Sequence, residues 1–291
     1  MNVGDIAFPN LGIYLKDVPR NFSVFGFEIA FYGVLIGIGV LAGIMMAAHM
    51  ARVTGQNPEE YWDFAIYAVI FSIIGARIYY VIFAWDFYRD DLLGIFKLRN
   101  GGLAIYGGVI AAFITLFAYC RIRKRNPLLM GDTCMPGLIL GQAIGRWGNF
   151  MNREVFGEYY DGLFSMQLPV EAVRARDISD NIAAHIPQGA NYINVHPTFL
   201  YESVWNLLVF AVLLCCRKHK RFHGELCLLY FAGYGLGRFF IEGIRTDTLF
   251  IPGTAVPVSQ VLALLMVVFS VAADLVVRIK GKGAAESPEK K

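Results

Sequence analysis

Seven stretches of this chain are apolar enough to cross a lipid bilayer, and they leave little freedom in the choice of fold. A hydrocarbon core of about 30 Å takes roughly twenty apolar residues of helix. Runs of that kind fall at 24–49, 62–84, 103–121, 128–149, 198–216, 225–243 and 257–278. Only 17% of the 291 residues are charged and 56% are hydrophobic, whereas a soluble chain carries about a quarter charged residues. The fold class expected is an all-α integral membrane protein with about seven transmembrane helices.

The first twenty residues, MNVGDIAFPNLGIYLKDVPR, lack the basic start and small-residue cleavage site of a signal peptide, so the first apolar segment is expected to stay in the mature protein. No internal repeat is evident, which weakens the reading as a transporter built from duplicated halves. A net charge of +3 is too small to argue for nucleic acid as a partner. The five cysteines, Cys120, Cys134, Cys215, Cys216 and Cys227, show no metal-binding or disulfide spacing. No metal and no cofactor is expected.

Basic residues set the direction of the spans. The loops CRIRKRNP and CRKHKRFH, Arg52 and the tail from Arg278 fall on one side and together hold fourteen Lys and Arg; the other side has nine over much longer sequence. This places the N-terminus outside and the C-terminus inside. The whole of 1–291 then reads as one polytopic membrane domain. An extracytoplasmic head at 150–197 lies between spans four and five, and a flexible cytoplasmic tail at 281–291 ends the chain.

With directions assigned, the polar residues inside the spans acquire depths. Arg146 and Asn149, Arg238 and Glu242, Arg77, Tyr32 and Tyr106 all come out near the outer surface. Gln142, Arg146 and Asn149 share one helix face, as do Tyr234, Arg238, Glu242 and Arg245. The pairs GVLIG, GVLAG, GLILG, GQAIG and GYGLG are small-residue motifs that let helices approach closely. Each arginine has two readings: a structural one, pairing with Glu or snorkelling to the headgroups, and a functional one. Three at one depth favour a site. Glu202 and Asn206, one turn apart, read as structural partners. Arginine grips phosphate in a planar, two-pronged way, and the phosphates abundant at that depth belong to phospholipids. A transporter or flippase for an anionic phospholipid or small phosphate compound would use the same arginines. It should also carry polar residues through the full membrane depth, and here the inner halves of the spans are nearly bare.

The string GRWGNFMNREVFG at 145–157 resembles the signature of the bacterial prolipoprotein diacylglyceryl transferases: glycine-arginine-x-glycine-asparagine-phenylalanine-x-asparagine-x-glutamate-x-x-glycine. All eight fixed positions match. FYGVLIG, GARIYYVIF, HPTFLYE and GYGLGRFFIEGIR extend the similarity over nearly the whole chain. The resemblance implies a location in the bacterial cytoplasmic membrane with the active site toward the extracytoplasmic leaflet. It implies transfer of the diacylglyceryl group of phosphatidylglycerol to the lipobox cysteine thiol of prolipoprotein signal peptides, the first step of lipoprotein maturation, with release of glycerol phosphate. Arg146 and Arg238 are then the expected clamp on the departing phosphate, with Asn149 and Glu154 positioning headgroup or arginines. Gly157 is the last fixed position of the signature.

Many members of that family carry a histidine, proposed as the base, in a histidine-glycine-glycine motif at the start of the third span. Here the stretch reads GGLAIYGG, with Tyr106 ahead of Gly107 and Gly108. A phenol with a pKa near 10 is a poor base at neutral pH, so Tyr106 is expected to donate a hydrogen bond to phosphate or orient the thiol; packing against Gly107 and Gly108 is the plainer alternative. His196 is either a substitute base or, since Pro favours a helix's first turn, part of the entry to the fifth span. Tyr32 and Tyr234 are further candidate hydrogen-bond donors to phosphate.

Overall fold

The computed structural model describes residues 1–98 and 101–285, with 281–285 in backbone only. The chain is mostly helical: α1 Phe31–Val53, α2 Glu59–Phe83, α3 Ile105–Arg123, α4 Pro127–Asn152, α5 Asp180–Ala184, α6 Thr198–Cys216, α7 Glu225–Glu242 and α8 Val258–Ala285. Six short strands accompany them: β1 Ile6–Phe8, β2 Ile13–Leu15, β3 Asn21–Val24, β4 Phe27–Ala30, β5 Met166–Pro169 and β6 Tyr192–Val195. Of the tail at 281–291, the helix continues to Ala285 and the remainder lies outside the described residues.

Among the described residues, five helices are long and apolar enough to cross a membrane: α1, α2, α3, α6 and α8. This is a multi-pass membrane protein. The two long helices that miss this standard, α4 and α7, are those that carry Arg146 and Arg238. Charged and small residues lower their apolar character, and only helices whose polar faces are covered by protein tolerate such content within a bilayer.

Two compact units make up the chain. The first comprises Met1–Gly43 and Met135–Lys291. Its β1, β2, β5 and β6 form an antiparallel sheet in the order β2-β1-β5-β6, so the N-terminal segment completes a sheet begun between α4 and α6. Ile6, Leu168, Ile193 and Val195 are buried beneath it with Phe156, and Phe150 and Phe199 join that core from α4 and α6. Close helix approach falls where small residues meet. A Cβ on Gly39 would sit 2.8 Å from the Gly141 carbonyl oxygen, and one on Gly43 would sit 2.8 Å from that of Gly137. The Ser203 hydroxyl of α6 donates to the Ala143 carbonyl of α4 at 2.9 Å, and Trp205 of α6 donates to the Gly233 carbonyl of α7 at 2.8 Å.

α1 begins at residue 31, later than the apolar run from 24 suggests, because 21–30 fold as the hairpin β3–β4. Its two-residue turn puts Phe25 and Gly26 at φ of 50° and 83°, the left-handed pair that matches strand twist in tight hairpins. Hydrophobicity alone does not distinguish an apolar hairpin from the first turns of a helix.

The second unit is Ile44–Cys134. α2 and α3 touch backbone to backbone, since a Cβ on Gly75 would meet the Gly107 carbonyl and the Ala111 side chain. Ala47, Ala51, Tyr61, Leu116, Tyr119 and Met130 form its core.

Candidate active site

The signature string ends α4 and turns away from it. Arg146 and Asn149 occupy the last two turns, and the chain leaves through Arg153 at φ 55° and Val155 at φ 61°. A β-branched residue in the left-handed region is a steric outlier and needs its surroundings to hold it there. Those surroundings are present. The Glu154 amide donates to the Asn149 carbonyl at 3.1 Å, the Thr198 hydroxyl donates to the Val155 carbonyl, and buried Arg153 donates to the carbonyls of Met151 at 3.0 Å, Gly4 at 2.5 Å and Val18 at 2.6 Å. Gly157 follows at a point of close passage. Its amide donates to the His196 carbonyl at 3.0 Å, and a Cβ there would stand 2.8 Å from both the His196 Cβ and the Ile244 carbonyl oxygen.

The loop therefore ties α4 to the start of α6 and the end of α7, and the charged residues of all three helices converge. Glu202 of α6, 4% exposed, is their centre. Arg146 Nη2 lies 2.6 Å from Glu202 Oε2, Arg238 Nη1 donates to Oε1 at 3.3 Å, and Arg245 Nη1 stands 3.7 Å from Oε1. Glu242, 2% exposed, takes Arg238 Nη2 at 2.6 Å and Arg245 Nη1 at 3.7 Å. Asp247 completes the group through two parallel bonds from Arg245, at 2.9 and 2.8 Å. Burial pulls the Arg245 guanidinium downward, but the hydrogen bonds and charge of Asp247, with the charges of Glu202 and Glu242, more than reverse this and hold its pKa above the ordinary arginine value.

The three arginines differ in what they have left to offer. Arg245, 9% exposed, is engaged through all three nitrogens. Arg238, 16% exposed, is held at both terminal nitrogens. Arg146, 21% exposed, meets a carboxylate through Nη2 alone, and its Nε and Nη1 make no hydrogen bond or ion pair among the described residues. The guanidinium is thus oriented through one nitrogen, and the other two have no protein partner among the described residues.

Around this network the structure brings together several other expected residues. Asn149 Nδ2 donates to Glu154 Oε1 at 3.1 Å, Asn152 does so at 3.3 Å, and Arg174 donates to the other Glu154 oxygen at 3.0 Å. The Tyr32 ring lies against Gly148, where an added Cβ would stand 2.7 Å from Cδ2. Tyr234 stacks on Tyr230 at 5.8 Å, and Tyr230 receives a hydrogen bond from Gln142 at 2.9 Å. His196 stacks on Tyr160 at 4.1 Å and its Nδ1 lies 3.3 Å from the Tyr201 hydroxyl. Burial lowers its pKa, with Glu158 opposing weakly.

The remaining candidates belong to the second unit. Arg77 is buried, and four hydrogen bonds take its donors to main-chain carbonyls: Nε to Ile95 at 2.7 Å, Nη1 to Gly101 at 2.7 Å and Gly102 at 2.8 Å, and Nη2 to Gly94 at 2.8 Å. Tyr106 sits in the first turn of α3, 40% exposed. Its ring centre is 6.5 Å from that of Tyr79, and its hydroxyl has no hydrogen-bond partner among the described residues. Gly107 packs beneath the Gly75 carbonyl, and Gly108 lies near the Ser72 carbonyl.

Comparison with known proteins agrees with the motif. The sequence profile described as prolipoprotein diacylglyceryl transferase matches residues 19–276. The chain belongs to the prolipoprotein diacylglyceryl transferase family. Relatives named phosphatidylglycerol–prolipoprotein diacylglyceryl transferase include one from Finegoldia magna, 40% identical over 90% of this chain and 94% of its own length. Others come from Staphylococcus haemolyticus, 38% identical over 90% of this chain and 89% of its own, and Clostridioides difficile, 37% identical over 90% and 96%. The sequence alone left Glu202, Asp247, Tyr230 and Arg174 outside the site. For Glu202 a signal existed: a carboxylate in an apolar helix needs a cationic partner, and the arginines were already in view.

Proposed function

We infer that this chain transfers the diacylglyceryl group of phosphatidylglycerol to the lipobox cysteine of a prolipoprotein, as the names of its relatives indicate. The sulfur attacks the glyceryl carbon that bears the phosphate, a C–S bond forms as the C–O bond breaks, and glycerol phosphate leaves with the electron pair. The thiol proton passes to solvent or to the departing phosphate. The observation that carries the mechanism is Arg146 held at Nη2 by buried Glu202, with Nε and Nη1 left for a ligand. Donors fixed in advance toward developing charge stabilise a leaving oxyanion most where water is excluded.

In this reading Arg146 makes the main phosphate contact, and Arg238 supports it electrostatically. Glu202, Glu242 and Arg245 position both. Three cations and three carboxylates balance, so an arriving phosphodiester meets oriented donors in place of a strongly positive cavity. Asn149 and Glu154 hold the outer rim, and Tyr32 and Tyr234 contact the headgroup or glyceryl moiety. Tyr106 supplies an unpartnered hydroxyl, suited to donating to phosphate or orienting the thiol. Arg77, Gly107, Gly108, Gly157 and His196 act through packing and loop placement.

Seven spans, with α4 and α7 added to the five apolar helices, are supported by the basic residues concentrated in alternate loops. That arrangement puts the N-terminus, the head and the charged network on the extracytoplasmic side of the bacterial cytoplasmic membrane. The purified chain, given phosphatidylglycerol and a lipobox peptide, is expected to release glycerol phosphate and to make the peptide heavier by one diacylglyceryl group. Lipid that crosses the membrane chemically unchanged, with no modified peptide, would instead establish a carrier.

A further inference from the structure

The four basic residues in the last turn of α3 and just beyond it do not share one role. Arg123 Nη2 pairs with Asp63 at 3.0 Å, and Arg125 pairs with Glu60 through two hydrogen bonds. Arg121 and Lys124, both exposed, have no carboxylate partner among the described residues. Two cations are therefore fixed to protein and two are left for something else.

Arg121 also ends an apolar trough. The trough has a volume of about 760 Å³ and runs along one face of α3 through Ile110, Phe113, Ile114 and Phe117 to Ile122 and Arg121. These positions recur every three or four residues, so they form one continuous stripe. The opposite face, with Gly107, Thr115, Leu116, Tyr119 and Cys120, is buried. From position 110 to 121 the helix rises about 16 Å at 1.5 Å per residue. Half of a bilayer's hydrocarbon core is about 15 Å. The stripe thus has the length of one acyl chain in one leaflet, with a free guanidinium at headgroup level.

We propose that this trough is a binding site for one anionic phospholipid in the leaflet at the Arg121 end of α3, its phosphate on Arg121 and Lys124 and an acyl chain along Phe117, Ile114 and Ile110. Tyr106, to which the proposed function gives a contact with the transferring lipid, lies fifteen residues away near the other end of α3, about 22 Å along the axis; on that reading this lipid is not the substrate held for transfer. The chemistry selects against zwitterionic lipids, because an uncompensated pair of cations near a membrane surface attracts net negative charge.

Native mass spectrometry of the full chain, stripped of lipid and titrated with dioleoyl phosphatidic acid or dioleoyl phosphatidylcholine, tests this. The wild type and Arg146→Lys are both expected to retain one phosphatidic acid that Arg121→Ser/Lys124→Ser releases. Phosphatidylcholine should not occupy the site. Phe117→Ser keeps both cations and opens the trough wall; retention should fall at least tenfold, whereas a merely basic surface would not notice it. An unchanged lipid count in the double variant, equal retention of the two lipids, indifference to Phe117→Ser, or a second copy of the chain taking the lipid's place would each overturn the proposal.

Discussion

Arg77 and Arg146 both lie in long helices, Arg77 in an apolar one and Arg146 in glycine-rich α4, and charge and depth alone give no reason to separate them. Their partners do. Arg77 meets carbonyls of the segment between α2 and α3, which are neutral, numerous and part of the main chain. Arg146 meets a single carboxylate through one nitrogen. A guanidinium surrounded by carbonyls satisfies a loop that would otherwise have unpaired acceptors, so its donors are committed to the fold. A guanidinium held by one carboxylate oxygen is oriented and still has donors for a ligand. Burial and charge therefore identify neither as catalytic; what distinguishes them is how many N–H groups remain unoccupied.

Substitutions at the two arginines sharpen the contrast. Arg146→Lys keeps the charge and removes the planar second prong, and transfer should fall by about 100-fold or more while the protein remains folded. Near-normal turnover in a folded Arg146→Lys would sink the phosphate clamp. Glu202→Gln should lower both rate and stability, because it leaves Arg146 and Arg238 facing a neutral amide; breaking such a buried pair costs about 3–5 kcal/mol. If melting temperature is unchanged, Glu202 is not the centre of the network. Arg77→Lys inverts the pattern. Hydrogen bonds from a charged donor contribute about 1.5–3 kcal/mol each, so thermal stability should drop clearly, with a smaller loss of rate per folded molecule than Arg146→Lys shows. A stable but inactive Arg77→Lys would move Arg77 into the chemistry.

Smaller effects test the periphery. Tyr106→Phe should slow transfer about tenfold if its hydroxyl donates to phosphate, the equivalent of about 1.4 kcal/mol; an unchanged rate removes the hydroxyl from the mechanism. The least effect is expected at His196, whose pKa burial has lowered. A histidine held neutral in the fold contributes stability that is complete above the usual value of about 6.5 and is lost as pH falls through the lower folded value. Melting curves from pH 7.5 downward should therefore show a loss in the wild type that is smaller in His196→Gln.

Much of the helical organisation was legible because hydrophobic length is a local property. The apolar runs located the long helices to within a few residues, except where Phe25 and Gly26 make a turn that composition does not reveal and at the end of α8, which runs on past 278 to Ala285. Small-residue motifs were legible as a means of approach but not as contacts. GVLAG and GLILG meet through Gly39, Gly43, Gly137 and Gly141, whereas Gly33 and Gly37 of GVLIG have nothing within 4 Å of an added Cβ. The small sheet was least visible, since Ala7 of β1 pairs with Gln167 of β5 across more than half of the chain's length.

The sequence by itself determined the class of protein, the long helices and the residue types available for phosphate chemistry, because transfer into a bilayer sums over neighbouring residues and the signature string is contiguous. Only the tertiary structure decided which arginine keeps unpaired donors. That depends on Glu202 reaching Arg238 from 36 positions away and on Arg77 being enclosed by main-chain carbonyls, and the energies of buried charges are set by such partners in space, not by adjacency along the chain.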